Sequence, residues 1–274
     1  MHQTGLHRTL GGFAVLLAII ACALPTQTIQ HTPGTAPSVA ETATVSTLES
    51  EAQPTEQATQ IAVTATAVAT ETIPPTPKIS SAGTSLLSLA DGSTQFTDHT
   101  AGIQILFSPI WLVFRVGEPE YYQAWEKHGA QNLAAIDALS AMQNLDPKVL
   151  RVVALDLRPE HMPDEMLTAL SVIYLAGDLQ DLKEREKVRR NQHSPCAGYQ
   201  FISSNYPQTN NGIQTLVMDE SCKATDERTI LYRDIYFHVP SGMIHINFET
   251  NFDYRDTPLL EFEQVLNNIT LLNP

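Results

Sequence analysis

The chain has no apolar run as long as the ~18 residues that mark a membrane-spanning helix, so no segment reads as a retained span. Basic side chains are scarce: 16 Lys and Arg stand against 30 Asp and Glu, a formal net charge of −14. From residue 91 onward the balance is 25 acidic to 14 basic. Nucleic acids and anionic membrane surfaces are held by clustered Lys and Arg, so neither is expected as a partner. Cysteine occurs at only three positions, 22, 196 and 222, with no Cys-x-x-Cys spacing, which leaves no sulfur set for a structural zinc. Also absent are a G-x-S-x-G elbow, an H-E-x-x-H pair, a Gly-rich phosphate loop and a calcium-loop pattern. No local motif therefore names a chemistry, although a site assembled from distant loops leaves no such trace.

What is present begins at the N-terminus. A short start with His7 and Arg8 leads into an apolar run over residues 13–20 and then Ile19-Ile20-Ala21-Cys22. An apolar stretch of about ten residues suits a signal-peptide core and falls well short of the roughly 20 that span a bilayer. The small and branched apolar residues directly before Cys22 resemble the lipobox of bacterial lipoproteins, with Ala21 at the cut. That resemblance implies that residues 1–21 are a signal peptide and that the Cys22 thiol takes a diacylglyceryl group. Cys22 then becomes the first mature residue, and the protein is anchored to the extracytoplasmic face of the cell membrane. Each buried acyl methylene is worth ~0.8 kcal/mol, so two or three chains hold firmly where one would not. An ordinary secretory signal whose core ends in cysteine is the competing reading.

Residues 22–92 read as the lipidated cysteine followed by a disordered tether. Residues 23–80 contain no Phe, Tyr or Trp, a single Lys or Arg (Lys78), and long runs of Thr, Ala, Pro, Ser, Gln and Glu. Such a stretch buries too little apolar surface to offset ordering costs of ~1–2 kcal/mol per residue. Residues 63–69 are its only patch with strand character. Its Thr and Pro density also suits O-glycosylation.

Residues 93–274 then form one domain by length, holding nearly all the aromatic residues and the other two cysteines. An even pair in an exported domain most often forms a disulfide, so Cys196 and Cys222 are expected to be bonded. Two buried free thiols or a metal pair are the alternatives.

Within the domain, strands and helices interleave. Extended segments are expected over 100–107, 112–116, 149–157 and 170–175. Helical spacing of Tyr121, Trp125, Leu133, Ile136 and Leu139 marks one helix over 120–144, or two broken near Gly129. A charged helix capped by Asp178 runs to about Arg190, and its alternating Lys, Arg and Glu read as a solvated face. Near the end, residues 230–239 and 243–250 flank Pro240-Ser241-Gly242 as a hairpin. Opposing Val239 with Ile244, Phe237 with Ile246 and Ile235 with Phe248 puts the large apolar side chains on one face. A last helix is expected over 257–271, with Thr257 as N-cap, Pro258 in the first turn and Leu260, Phe262, Val265, Leu266 and Ile269 as its apolar side.

This order resembles the PsbP-like family. The carrying residues are Gly102-Ile103-Gln104-Ile105 with Pro109 and Trp111, Val153-Ala154-Leu155-Asp156, and the terminal hairpin running into Phe262, Val265, Leu266 and Ile269. The chain departs from the pattern at Ile110, between Pro109 and Trp111, where a small or turn-forming residue is expected. The resemblance implies an α+β fold, an α/β/α sandwich around a central, mainly antiparallel sheet. It also implies a binding or assembly module with no shared catalytic set; no cofactor is expected.

Two constellations carry possible chemistry. In the register above, His238 and His245 face each other on the solvent side of the hairpin, beside Tyr236 opposite Asn247 and Asp234 opposite Glu249. Two imidazoles on adjacent strands can share Zn²⁺ or Cu²⁺ if a carboxylate completes the set; the plainer reading is an exposed polar strand face. Glu160, His161, Asp164 and Glu165 form a second metal-friendly group, flanked by Pro159 and Pro163, and its plainer reading is a stiff polar loop. The leading functional expectation is a membrane-anchored extracytoplasmic lipoprotein presenting a binding domain to a protein partner at the cell surface. Capture of a metal or small solute comes second, and an extracytoplasmic enzyme third.

Overall fold

The computed structural model describes residues 77–129, 132–161, 166–191, 196–224 and 228–272. Cys22 and residues 22–76 of the expected tether lie outside the described residues. The folded part begins earlier than the sequence indicates. Strand β1 (Thr84–Ser88) lies inside the stretch read as tether, and pairs antiparallel with β2 (Thr94–Asp98). With β3 (Ile103–Phe107) and β11 (Ile269–Leu271) they make a four-stranded sheet in the order β1-β2-β3-β11.

The main sheet is seven-stranded, in the order β4-β5-β6-β10-β9-β8-β7, and every neighbouring pair is antiparallel. Its strands are β4 (Trp111–Phe114), β5 (Leu150–Asp156), β6 (Thr168–Ala176), β7 (Ala197–Asn205), β8 (Leu216–Lys223), β9 (Thr229–Val239) and β10 (Gly242–Asn251). Helices α1 (Pro119–Ala124) and α2 (Leu133–Met142) follow β4, joined by a π-helical turn over Trp125–Gly129. Helix α3 (Leu182–Asn191) follows β6, and α4 (Asp256–Asn267) follows β10.

Alternation along the strands decides the layers. On β9 and β10, Ile235, Phe237, Ile244, Ile246 and Phe248 point to one face and meet Phe96, Ile105 and Phe107 of the small sheet and Phe262 and Val265 of α4. The rings of Phe248 and Phe262 stack 4.5 Å apart. All of these side chains except Val265, at 2% exposure, are fully buried. At ~1.5–3 kcal/mol for each large apolar side chain, this layer is the main source of stability. The opposite face takes α1 and α2 over Val153, Leu155 and Ile173, and α3 over Leu216, Met218, Tyr236 and Met243 through Leu182. The result is the expected α+β helix–sheet–helix sandwich, with the small sheet added beside α4.

Two arginines join the sheets. Arg151 of β5 grips Asp98 of β2 through Nε (2.5 Å) and Nη2 (2.9 Å) and donates to the Ala82 carbonyl. Arg115 donates to the Thr84 carbonyl.

Four expectations are corrected. The last helix stops at Asn267, and Ile269–Leu271 leaves it to pair with β3. Arg255 rather than Thr257 occupies the N-cap position, and Leu260 is solvent-facing at 67% exposure while Leu259 packs inward. Asp178 does not cap α3; it takes the Arg185 guanidinium, and Asp181 accepts the Lys183 backbone N–H instead. The hairpin register differs by two residues. Val239 pairs with Gly242, Phe237 with Ile244 and Ile235 with Ile246, because the loop is only Pro240-Ser241. A shift of two preserves the face of every side chain and changes every partner.

Candidate functional site

The register change separates the two histidines. His238 is exposed and opposes Met243, whereas His245 opposes Tyr236 and is 3% exposed. The face that carries them is covered in part, because α3 packs through Leu182 over Leu216, Met218, Tyr236 and Met243. Among the described residues no group of three or more His, Cys, Asp or Glu is placed to hold a metal ion.

His245 belongs instead to a buried polar network. Its Nε2 lies 2.6 Å from Asp234 Oδ1, which also accepts from Asn247 Nδ2 at 2.9 Å. The Tyr236 ring stacks on the imidazole at 4.3 Å. From α3, Arg189 Nη2 reaches Asp234 Oδ2 at 3.1 Å and Glu220 Oε2 at 2.9 Å. Burial pushes the Asp234 carboxyl toward its neutral form, but the charges of Arg189 and His245 and the hydrogen bonds outweigh it and hold its pKa well below the carboxylate range. Burial and then the Asp234 charge push Glu220 the other way, upward, and likewise raise the Tyr236 phenol. The charged helix is thus not simply a solvated face. Arg189 anchors it to the sheet, and Arg190 lies 4.0 Å over the Phe201 ring. Chemically this network clamps α3, with Arg189 on one oxygen of each carboxylate and the imidazole covered by the Tyr236 ring.

The second metal-friendly loop is only partly described. His161 Nδ1 lies 2.7 Å from Asp156 Oδ2, and Arg158 forks onto the same carboxylate through Nε (2.9 Å) and Nη2 (2.6 Å). Burial opposes the Asp156 charge, yet these hydrogen bonds keep its pKa low. Arg158 also reaches Glu261 of α4 at 3.5 Å. Asp164 and Glu165 lie outside the described residues. The remaining pair, Cys196 and Cys222, forms a disulfide with Cα atoms 5.9 Å apart, tying the start of β7 to the end of β8.

A feature that sequence reasoning missed is a recess of about 250 Å³ where the β7–β8 connection meets the last turn of α4. Pro207, Val217 and Leu266 give it an apolar lining, and Asn205, Gln208, Asn267, Arg233 and Glu263 line it as well. Arg233 is fixed by Asp219 (Nε–Oδ1 2.7 Å, Nη2–Oδ2 3.0 Å) and by Glu263 Oε1 (2.7 Å). Burial works against its charge, and these carboxylates raise its pKa nonetheless. The connection is held in place as well: Asn211 Nδ2 donates to the Ile269 carbonyl at 2.7 Å and Thr215 Oγ1 to the Pro207 carbonyl at 3.0 Å. The turn signal Asn210-Asn211-Gly212, with Gly212 at φ 77°, was the one local clue to this connection.

No family model matches the chain, and no curated protein sequence matches it. Among solved structures it is similar to cyanobacterial PsbP (CyanoP) from Synechocystis sp. PCC 6803, at 16% identity over 67% of this chain and 94% of that one, with a TM-score of 0.40. It is also similar to LpqN, involved in cell envelope biogenesis of Mycobacterium tuberculosis, at 13% identity over 44% of this chain and 72% of that one, TM-score 0.36. A protein of unknown function from Pseudomonas aeruginosa, PA94, matches at 11% identity over 39% of this chain and 74% of its own, TM-score 0.34. No helix among the described residues is long and apolar enough to cross a membrane.

Proposed function

We propose that this chain is a lipoprotein, anchored through Cys22 to the extracytoplasmic face of a membrane, whose folded domain binds a partner and performs no catalysis. The observation that carries the reading is the Cys196–Cys222 disulfide. A structural disulfide persists in oxidising compartments, and the segment ending at Cys22 supplies a route to one. The acidic composition and the occupied state of the Asp234 and Asp156 networks support a role in presentation and contact.

Cys22→Ser in the full-length chain tests the anchor. The variant should lose metabolic labelling by palmitate and move to the soluble fraction with its disulfide intact. Membrane attachment that survives the substitution would sink the reading. Capture from membrane extracts of the native cell, with folded wild-type protein as bait, tests the binding role; an empty result counts against it.

A further inference from the structure

The recess at the end of α4 offers hydrogen-bonding groups that the fold leaves unused. The side-chain amides of Asn205, Gln208 and Asn267 make no hydrogen bond among the described residues, and Glu263 gives only Oε1 to Arg233. These groups come from three elements. Asn205 ends β7, Gln208 sits on the β7–β8 connection, and Asn267 and Glu263 lie on α4. Their supports are rigid, since the connection is pinned at Asn211 and Thr215 and the arginine wall at Asp219.

Three properties restrict what fits. The single cation, Arg233, is already matched by two carboxylates, so a bound anion meets net negative surroundings and a bound cation meets a guanidinium. A neutral ligand avoids both costs. Each side-chain amide both donates and accepts, which matches hydroxyl groups, themselves donor and acceptor. The apolar lining of Pro207, Val217 and Leu266 accepts a C–H face, and 250 Å³ is small beside ordinary ligand pockets. A peptide strand fits less well. The nearby sheet edge, β7, carries register breaks between Ala197 and Gln200 and between Phe201 and Ser203, which interrupt the ladder that strand addition requires.

We propose that this recess is a binding subsite for one uncharged, hydroxyl-rich sugar ring, held by the amides of Asn205, Gln208 and Asn267 and the free oxygen of Glu263. The proposal rests on reading the domain as a binding module but is independent of its lipid anchor. No aromatic platform lines the recess, so affinity comes from hydrogen bonds beside a small apolar lining and is modest, of order millimolar.

The test is titration calorimetry on the full-length protein in a detergent without a sugar headgroup, using N-acetylglucosamine and its tetramer as probes. Saturable binding is expected. The Gln208→Ala/Asn267→Ala double variant should weaken it by ~10-fold, the loss of about two neutral hydrogen bonds, without changing the melting temperature. Tighter binding of the tetramer identifies a glycan chain as the source of the ring, and equal binding identifies a free sugar; both support the subsite. No saturable heat with either probe, or binding unchanged in the double variant, overturns it. That failure leaves the binding-module reading intact if wild-type protein still captures a partner from membrane extracts.

Discussion

His245 Nε2 and Asp234 Oδ1 lie 2.6 Å apart on adjacent strands, beneath α3. The pair converts a sheet face that reads as solvated into one that fastens a helix. Asp234 is 1% exposed and receives Arg189 on its other oxygen, so the charged α3 is held by charge pairing where an ordinary helix uses an apolar stripe. Leu182 is its only buried apolar contribution.

Breaking this network should be costly. Asp234→Asn removes the charge that faces Arg189 and His245, and loss of one member of a buried ionic set typically costs ~3–5 kcal/mol. Urea unfolding at neutral pH should show a loss of about 3 kcal/mol. A change below ~1 kcal/mol would mean that the carboxylate is not what fastens α3.

Glu249 gives a stability change with pH. It sits on the same face, beside Tyr232 and Ala169, and burial without a partner raises its pKa from 4.5 to about 7. An acid whose folded pKa is raised keeps its proton in the folded state where the unfolded chain has lost it. Its contribution is therefore complete below about 4.5 and lost as pH rises through about 7. Its side chain retains some solvent contact, so the effect is ~1–3 kcal/mol. Glu249→Gln should have little effect at pH 5 and be more stable than the wild type at pH 8. Parallel stability curves for the two proteins between these values would refute the assignment.

How far the fold could be read in advance varies by element. The faces of β9 and β10 were legible because Ile235, Phe237, Ile244 and Ile246 keep a period of two. Their register was not, because it is set by a two-residue loop, Pro240-Ser241, that lacks the usual Asn-Gly or Asp-Gly signal. Strands β1, β2, β7 and β8 were missed: β1 follows a Thr/Pro-rich stretch, and β7 is a polar edge strand. Arg189 looked like one of several surface cations, since its partners Glu220 and Asp234 are 31 and 45 residues away in sequence. The recess had no pattern to find, because its walls come from segments spread between Asn205 and Asn267.

The disulfide should carry a measurable share of stability. It closes a 26-residue separation, for which loop entropy gives about 3–4 kcal/mol. Cys196→Ser/Cys222→Ser, and wild-type protein under reductant, should lose equal amounts in urea unfolding. Unequal losses would show that the substituted side chains, and not the crosslink, determine the difference.

Gly242 is where the hairpin meets β6. It pairs with Val239 on one side and Ala176 on the other, at φ 159°. A Cβ there would be driven into the Leu175 carbonyl oxygen and would also stand 3.0 Å from the Gly177 nitrogen. Both are backbone atoms of a central strand and its turn, so neither can rotate away. Gly242→Ala must push β10 off β6 at this end or distort the loop, at a cost of ~2–3 kcal/mol. Hydrogen exchange should locate the damage, with faster exchange at the Gly177 amide, which donates to Ser241 across this corner at 2.9 Å. If protection there and the melting temperature both match the wild type, the close approach of the two backbones does not constrain this corner.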